Sequence, residues 1–223
     1  MTTMSHSYCR EALAELPPID WSNLEKAASV AEAACRRIGS DKRLLRELVE
    51  RTANSSALFG LCECHDLDDK IVLHDDLPRG YRIRLRLAND EQYERAHNHR
   101  FPFAAYVLHG TYFQQWYRIQ GTPSELTRPE DVTTLARRVE RAGAAFTISA
   151  DALHSTQTTP RTISLMICGP AVRDKSFIIN MDSGKVWEKI GRKDETAKQI
   201  ADCRMTRAVF DQWVKYMISV GVM

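Results

Sequence analysis

No apolar run in this chain approaches the roughly 18 residues that a membrane span requires. Its start, Met1-Thr2-Thr3-Met4-Ser5-His6, lacks both the basic opening and the apolar centre of a secretory signal. Charge of one sign is also missing. The formal net charge is +2 and the charges are mixed along the chain, so nothing electrostatic argues for nucleic acid or an anionic membrane as partner. The six cysteines (Cys9, Cys35, Cys62, Cys64, Cys168 and Cys203) follow no framework spacing, which excludes a disulfide-stapled scaffold and fits reduced thiols in the cytoplasm. Internal repeats and low-complexity tracts are absent as well.

What is present is an ordinary globular composition, 43% hydrophobic and 27% charged over 223 residues. That length suffices for one large domain with extensions and a real core. Residues 1–65 read as a helical extension. Ser22 and Glu25 have the spacing of a capping box opening the run Leu24 to Ile38, and Gly39 reads as its stop. Asp41 begins a second helix with Leu44, Leu45, Leu48 and Val49 as its apolar stripe. These helices are expected either to pack outside the following domain or to build a dimer interface.

From about residue 66 to 183 the apolar period changes from helical to alternating. Lys70–His74, Tyr81–Leu87, Ala105–Gly110, Tyr112–Ile119, Ala145–Ile148, Thr162–Ile167 and Ser176–Asn180 read as short strands, with a long connection over 121–134. Many short strands separated by turn signals imply a closed or sandwiched antiparallel sheet. Residues 184–223 read as a C-terminal helical segment, whose last helix, near 204–219, carries Val209, Phe210, Trp213 and Met217 on one face.

The chemistry concentrates at His97-Asn98-His99. Two histidines one residue apart on an extended strand point the same way, so both imidazoles can reach one metal ion. At this point the sequence resembles the cupin superfamily. His97 and His99 match the histidine pair of the first cupin motif, and Gly110 matches its closing glycine; Gly143 and His154 stand at the separation expected in the second. Ser149, Asp151 and Thr158 occupy the places where proline, glycine and asparagine are usual.

The resemblance implies a mainly β, double-stranded β-helix (jelly-roll) barrel, with His97, His99 and His154 as metal ligands. It departs from the family pattern at the usual glutamate, where Phe103 stands beside Ala104. Three histidines without a carboxylate resemble the thiol dioxygenases and other three-histidine iron cupins, and also small cupins of natural-product pathways, including those of nitrogen–nitrogen bond formation. The resemblance therefore implies Fe(II), with Zn or Mn as alternatives, and a small amino-acid-like substrate with O2. The competing implications are non-oxidative isomerisation or N–N bond formation, and a ligand-binding cupin without turnover. Dimers are frequent in the family, so a homodimer is expected. The Ser-x-His-x-Tyr relay of thiol dioxygenases is not matched: Ser164, Met166 and Cys168 occupy that strand.

Other residues divide between structural and functional readings. Arg82, Arg84 and Arg86 form one face of a strand, ordinarily a solvated one; the functional alternative turns one inward to hold a substrate carboxylate, and Arg84 is the choice. Tyr112, Gln114 and Trp116 share a face, with Tyr112 and Gln114 as expected substrate contacts or, equally, packing residues. Phe103 is expected as an apolar wall beside the metal. His109 reads as a solvent-facing turn residue and Cys168 as a core thiol. Cys62-Glu63-Cys64-His65 is too tightly spaced for a structural zinc site.

Overall fold

The computed structural model describes residues 7–89, 95–120, 128–183 and 185–223. The segment Met1–His6 and residues 121–127 of the expected long connection lie outside the described residues. Six helices and twelve strands are present among them: α1 Ser7–Ala14, α2 Leu24–Ser40, α3 Lys42–Asn54, α4 Ser56–Phe59, β1 Glu63–Cys64, β2 Asp68–Asp76, β3 Tyr81–Ala88, β4 Arg95–His97, β5 Phe103–His109, β6 Thr111–Ile119, β7 Val132–Arg141, β8 Ala145–Ile148, β9 Leu153–Thr158, β10 Ile163–Cys168, β11 Lys175–Asn180, β12 Val186–Ile190, α5 Ala197–Asp202 and α6 Arg207–Ser219. No helix among the described residues is long and apolar enough to cross a membrane.

The strands form two antiparallel six-stranded sheets, ordered β1-β2-β3-β10-β5-β8 and β12-β11-β4-β9-β6-β7. From β3 to β10 the chain passes repeatedly between the sheets and leaves β3-β10-β5-β8 facing β4-β9-β6-β7. That order is the paired Greek key of a jelly roll, the architecture of the cupins. Gly110 and Gly143, at φ 85° and 91°, turn the chain at the ends of β5 and β7. Both need the left-handed backbone that glycine adopts without a side-chain clash.

The first sheet turns one apolar face of its strands to the helices that cover it. On β3, Tyr81, Ile83, Leu85 and Leu87 are buried in a cluster with Ala27, Ala31, Ala34 and Ile38 of α2, Leu44, Leu45 and Leu48 of α3, and Phe210, Trp213 and Met217 of α6. α2 crosses β5, β8 and β10 while α3 lies along β2. The N-terminal helices thus pack on the outside of the barrel, and each fully buried leucine there contributes about 1.5–3 kcal/mol. Trp213 Nε1 donates to Asp69 Oδ2 at 2.7 Å and fastens α6 to the same sheet.

Several expectations are corrected. α2 is capped by Asn23, whose side chain accepts from the Lys26 amide at 3.1 Å, while Ser22 turns to Asp20. Gly39 does not stop α2, which runs to Ser40. It lies where the helix presses on β5: a Cβ there would sit 2.5 Å from Tyr106 Cδ1. Asp41 does open α3, accepting from Leu44 N at 2.9 Å. The connection read as reaching 134 gives way at Val132 to β7, an edge strand exposed along most of its length. The segment read as helical from 184 opens with β12, paired to β11. His109 is not a solvated turn residue; its ring meets Tyr216 edge-on at 5.9 Å.

Candidate metal centre

His97 and His154 are direct cross-strand partners between β4 and β9, so their side chains leave the second sheet on the same face. β4 ends at His97, and His99 lies just past it rather than on the strand. The ladder nevertheless continues locally: Asn98 N donates to Phe177 O at 3.2 Å, and His99 N to Ala150 O at 3.1 Å. Alternation therefore survives through Asn98, and His99 points inward beside His97. One ring nitrogen from each of the three histidines lies within 4.8 Å of the other two.

The tautomers are set by the surroundings. His97 Nδ1–H donates to the Arg95 carbonyl at 2.8 Å, and His154 Nδ1–H donates to Gln114 Oε1 at 3.2 Å. Each leaves an Nε2 lone pair for the centre. The Nε2 atoms of His99 and His154 stand 2.7 Å apart. Burial pushes His99 and His154 well below their ordinary value of 6.5, with the neighbouring imidazoles adding to it, and burial lowers His97 in the same direction. All three are neutral at pH 7, the form that binds a metal.

This donor set fits a divalent cation. Ligands about 2.1 Å from one ion stand at most ~4.2 Å apart, so small side-chain rotations bring the triad onto a shared ion. No carboxylate joins them among the described residues. Phe103 occupies that side instead, edge-on to His99 at 4.8 Å, and Trp116 lies against His154 at 5.6 Å. A divalent ion held by three neutral imidazoles keeps its full charge and open positions for a ligand.

The triad opens into a cavity of about 1140 Å³ whose walls include Arg84, Phe103, Tyr112, Gln114, Phe146 and Trp187. All four residues expected to meet a substrate (Arg84, Phe103, Tyr112 and Gln114) are therefore brought to the chamber that holds the histidines. The solvated reading of Arg82, Arg84 and Arg86 is overturned: the apolar face of β3 is turned to the helices, so its arginines line the cavity.

Their surroundings differ. Arg82 is paired with Asp75 through two bonds of 2.9 Å. Arg86 donates to Asp68 at 2.6 Å and to the Tyr112 hydroxyl at 3.1 Å, and that hydroxyl shares a 2.7 Å hydrogen bond with Ser164. Although burial opposes it, Lys70 and Arg86 hold the Asp68 carboxyl far below the usual carboxylate range. Burial brings Lys70 down to about 8. Arg84 has no carboxylate within ion-pair distance among the described residues: its Nε is buried without a hydrogen bond, its guanidinium lies over Phe101 at 5.4 Å, and it also interacts with the Cys168 thiol.

Sequence reading missed the network of Asp68, Lys70, Arg86, Tyr112 and Ser164, as well as Lys189 and Trp187 on β12. The signal for the first was the alternation of Asp68 and Lys70 at the head of β2, opposite Arg86 on β3. Cys64 and His65 also line the cavity, while Cys62 is buried in the core.

Fold and site together define the class, a cupin-type jelly roll carrying a candidate three-histidine metal centre. No protein-family model matches the chain, and no curated protein matches it. Solved structures with similar folds include an RmlC-like cupin from Shewanella frigidimarina NCIMB 400, at 15% identity and a TM-score of 0.37 over 51% of this chain and 86% of that one. Another RmlC-like cupin, from Ralstonia eutropha JMP134, is 14% identical with a TM-score of 0.35 over 71% and 79%. Hydroquinone 1,2-dioxygenase PnpCD, solved with Cd2+ and 4-hydroxybenzonitrile, is 12% identical with a TM-score of 0.34; the match covers 45% of this chain and 63% of that chain's length. At these levels it is the strand order that defines the fold.

Proposed function

We propose that this protein is a metal-dependent enzyme, a non-haem iron(II) oxygenase that acts with O2 on a small amino-acid-like substrate. The observation that supports this most is the convergence of three neutral imidazoles, unaccompanied by a carboxylate, at the wall of a cavity. Bound there, iron would couple oxidation of a chelated substrate to dioxygen.

The chain's own residues have distinct parts in this reading. His97, His99 and His154 hold the ion. Gln114 fixes the His154 tautomer by accepting from Nδ1. Arg84, uncommitted to any carboxylate among the described residues, presents its guanidinium fork to an acidic substrate group. Phe103 and Phe146 form an apolar wall that excludes water from the reacting atoms. Tyr112 offers a hydroxyl oriented by Arg86 and Ser164.

One feature favours a second reading. The relay strand of thiol dioxygenases has no counterpart here beyond Ser164, and imidazole suits zinc as well as iron. A zinc or manganese centre acting as Lewis acid in isomerisation or N–N bond formation would need no oxygen. Metal analysis of anaerobically purified protein, followed by oxygen-uptake assays over a panel of amino acids, separates the two. Iron with substrate-dependent oxygen uptake supports the oxygenase. Zinc or manganese with turnover but no uptake supports the second reading, and ligand binding without turnover by any metal form refutes both.

A further inference from the structure

Gln114 is almost wholly buried on β6, and the two ends of its amide are differently placed. Oε1 accepts from His154 Nδ1 at 3.2 Å, a nitrogen that the Thr156 hydroxyl also approaches at 3.3 Å. Nε2, with two hydrogens to donate, has no acceptor among the described residues. Burying such a donor unpaired costs free energy that a bound acceptor recovers. Gln114 lines the cavity, so the acceptor can come from a ligand there.

On the His99 side of the triad the wall is apolar. Phe103 meets His99 edge-on at 4.8 Å and shares a cluster with Phe146, and both rings line the cavity. One histidine therefore sits against an unfilled donor and another against an aromatic ring. The arginines of the wall, among them Arg84, Arg95 and Arg100, attract an acid at several points and single out none. Gln114 does single one out, because its donor is held within one amide group of His154.

We propose that the group bound beside the triad is a carbonyl or carboxylate oxygen that accepts from Gln114 Nε2, carried on an apolar body lying against Phe103 and Phe146. Gln114 thereby selects the ligand as well as orienting His154. The contact rests on the metal reading only for the reaction it serves, because Nε2 can donate with or without an ion.

Titration calorimetry on zinc-loaded and metal-free protein tests this, with the zinc content of each sample measured in parallel. The probes are N,N-dimethylhydrocinnamamide, which is neutral and accepts but cannot donate, and n-propylbenzene, a similar body without the oxygen. Gln114→Glu keeps an oxygen for His154 Nδ1 and loses the donor; Gln114→Met loses both and introduces no buried charge, so it serves where Gln114→Glu does not fold. Each is expected to weaken the probe amide about tenfold and n-propylbenzene by less than about twofold. Only Gln114→Met should also lose metal affinity. Absence of saturable binding of the probe amide, binding unchanged by either substitution, or equal losses for both probes would overturn the proposal. So would a loss confined to samples that have also lost zinc, which would leave Gln114 a support for His154 alone. A chain that takes up no zinc yet binds the probe amide in a Gln114-dependent way would refute the metal reading and retain the contact; zinc-loaded protein that binds it equally well in every variant would do the reverse.

Discussion

The Nε2 atoms of His99 and His154 face each other across 2.7 Å, although the residues are 55 positions apart in the chain. Two neutral imidazoles so close cannot both direct bare lone pairs at one another without repulsion. The Nε2–H of a neutral His99 donating to His154 Nε2 relieves it, and so does a shared cation; burial, which lowers both groups well below 6.5, disfavours only the charged imidazolium. A metal that displaces this one proton would take both lone pairs, and the residues around the pair make that exchange testable.

Gln114 is buried, and its side-chain oxygen accepts from His154 Nδ1. Gln114→Leu keeps the volume but removes the acceptor that sets the tautomer. Metal affinity is expected to fall about 10- to 100-fold with little change in thermal stability, as measured by competition with a chromophoric chelator. Unchanged affinity would show that Gln114 does not act on the ligand.

Gly39 gives a prediction about packing rather than chemistry. A methyl group at this position would fall 2.5 Å from Tyr106 Cδ1 and 2.9 Å from Leu108 Cδ2. Although alanine is the better helix former, Gly39→Ala should destabilise the protein by about 1–3 kcal/mol, because α2 must lift off β5. A urea midpoint at or above that of the unsubstituted protein would contradict the close-approach role.

Glu63 links stability to pH at the cavity rim. Burial raises its pKa, but a hydrogen bond with His65 and the charges of Lys70 and Arg192 outweigh this and bring it down to about 2. Its folded-state value lies below its unfolded one, so the stabilisation is complete above about pH 4.5 and is lost as pH falls toward 2. Glu63→Gln should therefore weaken the protein at pH 7 by on the order of 1–3 kcal/mol and flatten the stability profile between these values. A profile parallel to that of the unsubstituted protein would remove Glu63 from the acid transition.

Much of this was legible in the sequence where periodicity and chemistry agree. His97 and His99 were readable as a pair because strand alternation puts residues two apart on one face, whereas His154, Gly110 and Gly143 were legible only through their places in the cupin motifs that the sequence resembles. The orientation of β3 was not readable. Strict alternation separates Tyr81, Ile83, Leu85 and Leu87 from the three arginines, but it does not say which face meets the barrel interior. Here the helical layer claims the apolar face, and the arginines turn inward. β7 escaped for a different reason: as an exposed edge strand, Val132–Arg141 has no buried face to impose a period. Gly39 misled because a glycine that permits close packing looks the same in sequence as one that ends a helix.

The most direct measurement is the metal-to-protein ratio of the unsubstituted chain and of the His97→Ala, His99→Ala and His154→Ala variants, purified anaerobically and checked for folding by circular dichroism. One divalent ion per chain, lost from each folded variant, is the expected result. Folded His154→Ala protein that retains full metal, or an unsubstituted chain that takes up none when the ions are supplied, would contradict the three-histidine centre.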